Sequence, residues 1–310
     1  MTAELSRVAA LSPGEFEARL KGAGLGVRVG PFDVHITARV AGLYQPLYSL
    51  YSGYQVLDGD RVFSCHVQLR EVRSLRSGFE RKVRFLVDGR APHEDMPARQ
   101  AIAVLEWGIN LVIALRFQCF LMLHSAVLER NGCALLMPAA PGSGKTTLCA
   151  ALAHRGWRLL SDEFGLLRPG SVSLLPVPRP MPLKNESIDV IRAFAPEAVL
   201  GPEIPGTRKG TVAHVRPPDS SVERDAEVAR ARWIVFPRWV AGERLMLQAL
   251  PRADGFMNLA TNSFNYDKHG EAGFESVRAL VDGSQCFRLV YSNLGEAVAA
   301  LTRLADDDVG

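Results

Sequence analysis

One short segment, residues 139–146, combines the residue types that hold phosphate groups. It reads Ala-Ala-Pro-Gly-Ser-Gly-Lys-Thr and fits the pattern G-x-x-x-x-G-K-[ST] except at the first position, where alanine replaces glycine. Gly142 and Gly144 allow backbone N–H groups to turn inward around an anion, and a following helix adds its positive N-terminal end. In this pattern Lys145 reaches the β- and γ-phosphates of a nucleotide, and the Thr146 hydroxyl binds Mg²⁺. The alternative is a glycine-rich turn that merely precedes a helix.

The elements around this segment place two carboxylates beside it. Apolar runs predict a strand before the loop and a second strand at residues 157–160, with a helix between them that ends at Gly156. In a strand-helix-strand crossover the second strand runs parallel to the first, so both strands end at the same sheet edge. Asp162 and Glu163 follow the second strand, and we expect them to face the phosphates. A helix N-cap or a solvated turn is the alternative interpretation of each.

A histidine upstream is predicted to border the same place. Asn131 and Gly132 form the strongest two-residue hairpin signal, and apolar runs flank them on both sides. If this turn is tight, the ladder places His124 opposite Ala139, the first residue of the loop. A lone histidine on an apolar strand is also compatible with a packed core residue.

These residues together resemble the catalytic domain of HPr kinase/phosphorylase. The Asp-Glu-Phe-Gly segment that begins at Asp162 is also similar to the second nucleotide motif of phosphoenolpyruvate carboxykinases, which share this phosphate-loop fold. The close match to HPr kinases covers about residues 120–170, whereas the bacterial HPr-kinase-related proteins resemble most of the chain. The segments that extend the resemblance are Leu183-Lys184-Asn185, Lys209-Gly210-Thr211-Val212-Ala213-His214 and Phe264-Asn265-Tyr266.

The resemblance implies an α/β fold whose core is a phosphate-loop nucleotide-binding domain with a mixed sheet. It also implies a kinase that uses ATP and Mg²⁺ and moves the γ-phosphoryl group to a hydroxyl, on a serine of a small HPr-like protein or a peptide. The acid pair of that family falls on Asp162 and Glu163, and its histidine falls on His124. Three departures speak against phosphorolysis and a hexameric ring: Ala139 replaces a glycine, Glu163 replaces the usual aspartate, and no Gly-Arg-Asn segment occurs near the end.

The candidate site residues have distinct expected roles. Asp162 is expected to accept the hydroxyl proton, although the sequence does not divide the base and metal roles between it and Glu163. Thr146, Glu163 and Asp162 are the candidate metal ligands, and His124 would orient Asp162 or touch the transferred phosphate. The residues expected to hold the nucleotide are Pro141, Gly142, Ser143, Gly144, Lys145, Thr146, Thr147 and Lys209.

Lys209 is a candidate site residue because of its surroundings. Residues 201–218 are rich in glycine and proline and are predicted to form a flexible basic loop, which could close on the γ-phosphate or on an acidic acceptor. Lysine is scarce in this arginine-rich chain. A solvated surface loop is the alternative.

The chain is predicted to divide into an α+β region at residues 1–96, of unknown role, and a catalytic domain at residues 97–310. Within residues 27–88, alternating apolar and polar side chains predict strands, and the apolar spacing at residues 40–54 predicts a helix. The apolar segment at residues 101–122 carries too many polar groups to span a membrane and is predicted to be an amphipathic helix on the sheet, or part of an interface in a homo-oligomer.

Composition excludes several function classes. The net charge of +3 is small and no run of Lys or Arg occurs, so a nucleic-acid partner is not expected. The five scattered cysteines favour reduced thiols and a cytoplasmic location. Without an L-S-G-G-Q or an N-K-x-D segment, transporter ATPases and regulatory GTPases are disfavoured. A kinase of a free small molecule, such as an amino acid, and a nucleotide-binding regulator without transfer activity remain as alternatives.

Overall fold

The computed structural model describes residues 6–73 and 80–307, which form three β-sheets and a set of flanking α-helices. This architecture confirms the α/β class. The strands β1 to β17 are Leu25–Val29, Phe32–Arg39, Val56–Leu57, Cys65–Arg73, Arg81–Val87, Met96–Pro97, Leu121–Arg130, Cys133–Pro138, Arg158–Ser161, Phe164–Leu167, Ser173–Leu175, Met181–Lys184, Ile204–Thr207, Gly210–Val215, Ala229–Trp239, Met246–Ala249 and Gln285–Tyr291. The helices α1 to α9 are Pro13–Lys21, Tyr44–Tyr51, Ala101–Arg116, Lys145–Ala153, Glu186–Phe194, Asp219–Glu223, Arg252–Thr261, Gly270–Asp282 and Leu294–Asp307.

The first sheet is built from the N-terminal strands in the order β3-β1-β2-β4-β5-β6. Only the β2–β4 pair is parallel, and the other described pairs are antiparallel. In β4 the side chains of Cys65, Val67 and Leu69 are buried whereas His66 and Arg70 are exposed, as the alternation in the sequence predicts. The strand prediction is therefore confirmed for β1, β2, β4 and β5, whereas Tyr44–Tyr51 in the same range forms α2. Residues 74–79 lie outside the described part.

Helix α3 packs against β4 and β5 of this sheet. It ends at Arg116, earlier than predicted, and ten of its residues are buried, so it is enclosed on most sides and is not amphipathic. The approach to the sheet is close, since a Cβ on Gly108 would lie 2.3 Å from the ring of Phe85. The segment Ala98–Arg116 is long and apolar enough to cross a membrane by length and composition alone. However, 61% of its apolar stretch is buried inside the fold, which is also typical of a core helix.

A buried polar network joins α3 to the segment that precedes β12. Glu106 forms an ion pair with Arg179 and accepts a hydrogen bond of 2.6 Å from the Tyr51 hydroxyl. Arg179 also donates to the side-chain oxygen of Asn110. Because a buried charge needs a partner, this network fixes the position of the 176–180 segment against the first sheet.

The second sheet carries the candidate site and has the order β11-β10-β7-β8-β15-β17-β16, with β9 also paired to β7. Strand β15 is parallel to β8 and β17, whereas β7 is antiparallel to β8 and β9. As predicted, β9 runs in the same direction as β8, although β7 lies between them. Helices α4 and α9 pack on one face of this sheet, and α7 and α8 pack on the other.

The third sheet, in the order β12-β14-β13, corrects one prediction. Residues 201–218 are not a flexible loop, because β13 and β14 form an antiparallel hairpin in this stretch. The Thr207 hydroxyl accepts a hydrogen bond from the Lys209 N–H and donates to the Gly210 carbonyl, which stabilises the turn. The buried side chains of Val212 and Val215 then hold β14 in the core. Glycine and proline content alone does not reveal these contacts.

Candidate functional site

The glycine-rich loop connects β8 to the N-terminus of α4. Gly142 and Gly144 have φ angles of +86° and +85°, a left-handed region that favours glycine. A Cβ on Gly144 would lie 2.7 Å from the Tyr291 hydroxyl oxygen and 3.0 Å from the Trp239 Cβ. The loop is also anchored by a hydrogen bond of 2.9 Å from the Trp239 N–H to the Ser143 carbonyl. The backbone of the loop is thus held in one conformation by the ends of β15 and β17.

Lys145 and Asp162 meet beside this loop as buried, unpartnered groups. Lys145 is the first residue of α4 and is 7% exposed, and Asp162 is 6% exposed. Neither the Lys145 Nζ nor either carboxylate oxygen of Asp162 has a hydrogen-bond partner. The Ser143 hydroxyl is a further buried polar group without a partner. Native interiors rarely leave such groups unpaired, so this arrangement marks a place where a ligand can supply the missing partners.

The two neighbouring carboxyl groups have opposite pKa shifts. Burial raises the pKa of Asp162 to about 7; the charge of Lys145 and the nearby Thr146 hydroxyl oppose this rise, and the charge of Glu163 adds to it. Burial also acts to raise the pKa of Glu163, but the hydrogen bond and charge of His124, together with Lys145, lower it to about 2. One carboxyl group is therefore poised to exchange a proton near neutral pH, while the other stays ionised at neutral pH.

A local interruption of a strand presents this acid pair. Ser161 at the end of β9 pairs with Val127, and Phe164 at the start of β10 pairs with His124, so both strands lie along β7. Between them the Ser161 hydroxyl accepts hydrogen bonds from the Glu163 N–H (3.2 Å) and the Phe164 N–H (2.9 Å). This serine-capped turn replaces the regular ladder at the two acidic residues.

His124 borders the site, as the hairpin register predicts. The β7–β8 ladder runs from Arg130 opposite Cys133 to Ser125 opposite Pro138. If the β7–β8 ladder is extended by one residue, His124 lies opposite Ala139, the first residue of the loop.

The side chain of His124 points to Glu163, with 3.5 Å between Nε2 and Oε2. The backbone N–H of His124 donates to the Asn262 carbonyl at 2.6 Å, and its ring lies 5.2 Å from the half-exposed Phe264 ring. The expectation that His124 orients Asp162 is not met, because the carboxylate beside its ring is that of Glu163.

Two further lysines lie within electrostatic reach of the acids. Lys209 sits at the turn between β13 and β14, exposed, with its Nζ 5.4 Å from the centre of the Trp107 ring. Burial lowers the pKa of Lys209, the charge of Lys184 lowers it further, and the charge of Glu163 raises it. The charge of Lys184 also lowers the pKa of Asp162. The site therefore has three lysines around two acids.

Lys184 was not among the predicted site residues. Its position depends on Asn185, which directly precedes α5; the Asn185 side chain accepts a hydrogen bond from the Thr211 N–H and does not cap the helix. This contact ties the end of β12 to the β13–β14 hairpin and brings Lys184 and Lys209 together. The sequence signals for Lys184 are its place in the Leu183-Lys184-Asn185 segment and the scarcity of lysine, six in 310 residues.

The donor set suits a magnesium ion bound together with phosphates. In the described part of the chain, no group of three His, Cys, Asp or Glu side chains could hold a metal ion by itself. The candidates are the Thr146 hydroxyl and the carboxylates of Asp162 and Glu163, which are hard oxygen ligands. Mg²⁺ prefers oxygen ligands and commonly uses one or two carboxylates, with water and substrate phosphates completing the shell. The residues present therefore fit Mg²⁺.

The remaining predicted nucleotide contacts lie around the start of α4. Pro141 is exposed at the tip of the loop, and Ser143 follows it with an intermediate exposure. Thr146 and Thr147 occupy the first turn of α4 and are also partly exposed. Their contact with a nucleotide stays a prediction.

Comparisons with known proteins do not identify the function of this chain. The sequence matches no model of a protein family, and no curated protein matches it. Among solved structures, the chain is similar to the HPr(Ser) kinase/phosphatase from Coxiella burnetii, with 12% sequence identity over 60% of this chain and 98% of that chain. The TM-score of 0.27 is low, so the chemistry has to be inferred from the residues of this chain.

Proposed function

We propose that the chain is a phosphotransferase that moves the γ-phosphoryl group of ATP to a hydroxyl group, with Mg²⁺ as cofactor. The proposed acceptor is a serine of a small HPr-like protein or of a peptide, and the proposed location is the cytoplasm. One observation carries the proposal: the ammonium group of Lys145 and the carboxylate of Asp162 are buried beside the glycine-rich loop, and both lack hydrogen-bond partners.

Buried charges without hydrogen bonds are costly, and they persist mainly where function requires them. Lys145 and Asp162 compensate each other in part, because the lysine charge lowers the pKa of the carboxyl group. Their hydrogen-bonding capacity nevertheless stays unused. A phosphate group offers acceptors to Lys145, and an alcohol offers a proton donor to Asp162. The two unused groups are thus those that a site for a phosphate and a hydroxyl requires.

Each residue then has a role that follows from its position. The loop N–H groups and Lys145 hold the β- and γ-phosphates and balance their charge. Asp162 accepts the proton of the attacking hydroxyl, for which a pKa of about 7 is well matched. Glu163 and the Thr146 hydroxyl hold the metal ion, because Glu163 stays ionised at neutral pH. Bound Mg²⁺ supplies positive charge at the phosphate oxygens.

The test is phosphoryl transfer to a purified HPr-like protein, read as the acceptor's intact mass after incubation with Mg²⁺-ATP. The expected result is the gain of one phosphoryl group with the wild-type chain. Lys145→Ala and Asp162→Asn should each slow the transfer by about a hundredfold or more. Lys268→Ala, which removes an exposed lysine elsewhere, is the matched control and should transfer at the wild-type rate.

The possible outcomes distinguish an incorrect acceptor from an incorrect transfer reaction. A mass gain that persists in Asp162→Asn would contradict the proposed role of this carboxylate. If the protein acceptor gains no mass but free serine becomes phosphorylated, the transfer chemistry stands and the acceptor is a small molecule. Absence of transfer to either acceptor, together with intact Mg²⁺-ATP binding, would favour a nucleotide-binding regulator.

A further inference from the structure

An exposed tryptophan lies against the glycine-rich loop on the side away from the acids. Trp239 is the last residue of β15 and is 48% exposed, although tryptophan usually buries most of its surface. Its backbone N–H donates to the Ser143 carbonyl at 2.9 Å, so its Cα is fixed next to the loop. Neither the core nor the proposed phosphate chemistry accounts for the exposed face of this ring.

The sheet order separates two sides of the loop. Strand β8, which leads into the loop, lies between β7 on one side and β15 on the other. The acid pair and His124 belong to the β7 side, where the γ-phosphoryl group would be transferred. A nucleotide with its phosphates along the loop has its base at the opposite end of the phosphate chain. The carboxyl end of β15, and therefore Trp239, lies on that opposite side, and ligands of such sheets bind outside the carboxyl ends of the strands.

The indole ring is also held in a single position. Its Nε1–H donates to the Ser292 carbonyl at 3.1 Å, so the ring lies across the ends of β15 and β17. The Trp239 Cβ would be 3.0 Å from a Cβ on Gly144, which shows how closely the side chain packs on the loop. A ring fixed in this way loses little conformational entropy when a flat ligand stacks on it.

We propose that Trp239 is the platform on which the purine base of the bound nucleotide stacks. This inference rests on the proposed function, because it assumes that the loop holds the phosphates. Stacking between an aromatic side chain and a base uses the exposed ring face and needs no hydrogen bond from the indole, whose only N–H is already engaged by Ser292. Removal of the ring should weaken nucleotide binding about tenfold or more.

The test compares a ligand that has a base with one that lacks it. Dissociation constants for Mg²⁺-ATP and Mg²⁺-tripolyphosphate are measured by calorimetry for the wild-type chain, Trp239→Ala, Trp239→Phe and the control Met257→Ala, which removes another exposed apolar side chain on α7. Trp239→Ala should weaken ATP binding at least about tenfold and leave tripolyphosphate binding unchanged. Trp239→Phe should retain most of the ATP affinity, and Met257→Ala should retain all of it.

Three outcomes decide the inference. If Trp239→Ala binds ATP as tightly as the wild-type chain, the base does not stack on this ring. If Trp239→Ala loses ATP and tripolyphosphate equally, the ring supports the loop structurally and the inference is overturned. If the wild-type chain binds neither ligand, the proposed function itself fails, which is distinct from failure of the stacking role alone.

Discussion

His124 lies beside Glu163, with 3.5 Å between its Nε2 and the Oε2 of the carboxylate. The backbone N–H of His124 donates a hydrogen bond to the Asn262 carbonyl, which fixes the position from which the side chain extends. The buried Asp162 carboxylate keeps both oxygens free of partners. The histidine therefore supports the acid proposed to bind the metal ion and leaves the proposed base unobstructed.

Replacement of His124 by glutamine should weaken Mg²⁺ binding. The His124 hydrogen bond lowers the pKa of Glu163 and orients its carboxylate, and loss of a group that orients a metal ligand typically costs 10-fold to 100-fold in metal affinity. The measurement is the Mg²⁺ concentration that gives half-maximal ATP binding at pH 7, with His93→Gln, at a partly exposed histidine that stacks on Phe85, as control. An unchanged Mg²⁺ requirement in His124→Gln, with slower transfer, would instead assign His124 to the phosphate.

Asp162→Asn, which should slow transfer by about a hundredfold or more, should also stabilise the folded chain at alkaline pH. Burial raises the pKa of this carboxyl group from 3.8 to about 7, so between these values the folded state binds more protons than the unfolded state. Stability from this group therefore falls as the pH rises through this window, and the penalty is full above pH 7. The expected gain for Asp162→Asn is on the order of a few kcal/mol at pH 8 and near zero at pH 4.

Urea denaturation in the presence of a chelator measures this gain without bound metal. The control is Asp189→Asn, which removes an exposed carboxylate and is measured at the same two pH values. An equal stability gain for Asp162→Asn at pH 4 and pH 8 would show that the carboxyl group is not perturbed by burial.

Local sequence patterns were sufficient to predict the elements that present the site. The Asn131-Gly132 turn specified the β7–β8 ladder, and the apolar periods around the loop specified α4 and β9. These features depend on neighbouring residues, for which spacing and turn chemistry carry enough information. The order of strands could not be predicted from local patterns, because the position of β7 between β8 and β9 depends on pairing between distant segments.

The contacts that complete the site were not predictable in the same way. The convergence of Lys184 and Lys209 depends on the Asn185 side chain, which accepts a hydrogen bond from the Thr211 N–H instead of capping α5. A sequence pattern identifies a capping residue but not which backbone N–H its side chain will satisfy. For the same reason, the pairing of His124 with Glu163 could not be chosen over a pairing with Asp162.

Lys209→Ala should slow phosphoryl transfer about tenfold or more while changing ATP affinity less. Lys209 lies near enough to Glu163 for the two charges to interact, and it can balance the negative charge that develops during transfer. The check is a comparison of kcat with the dissociation constant of ATP, with Lys82→Ala on the first sheet as control. A wild-type kcat for Lys209→Ala would exclude this role and leave the lysine as a structural partner of Trp107.

His214→Phe should reduce the loss of folding stability at low pH. His214 is buried with both ring nitrogens unpartnered, and burial lowers its pKa from 6.5 to about 4, with Glu106 opposing the shift and Arg179 adding to it. Between these values the unfolded state binds more protons, so stability is lost as the pH falls from about 6.5 toward 4. The drop in melting temperature between pH 7.5 and pH 4.5 should be smaller for His214→Phe than for the wild-type chain or for His66→Gln. An equal drop in all three would contradict this assignment.

The measurement that tests the central claim most directly is a calorimetric titration of Mg²⁺-ATP into the wild-type chain and into Lys145→Ala. If the glycine-rich loop and the buried ammonium group hold the nucleotide phosphates, the wild-type chain binds and Lys145→Ala binds at least about tenfold more weakly, since a charge-assisted contact is lost. Equal binding by the two proteins, or no binding by a folded wild-type chain, would contradict the assignment of this site to nucleotide phosphates.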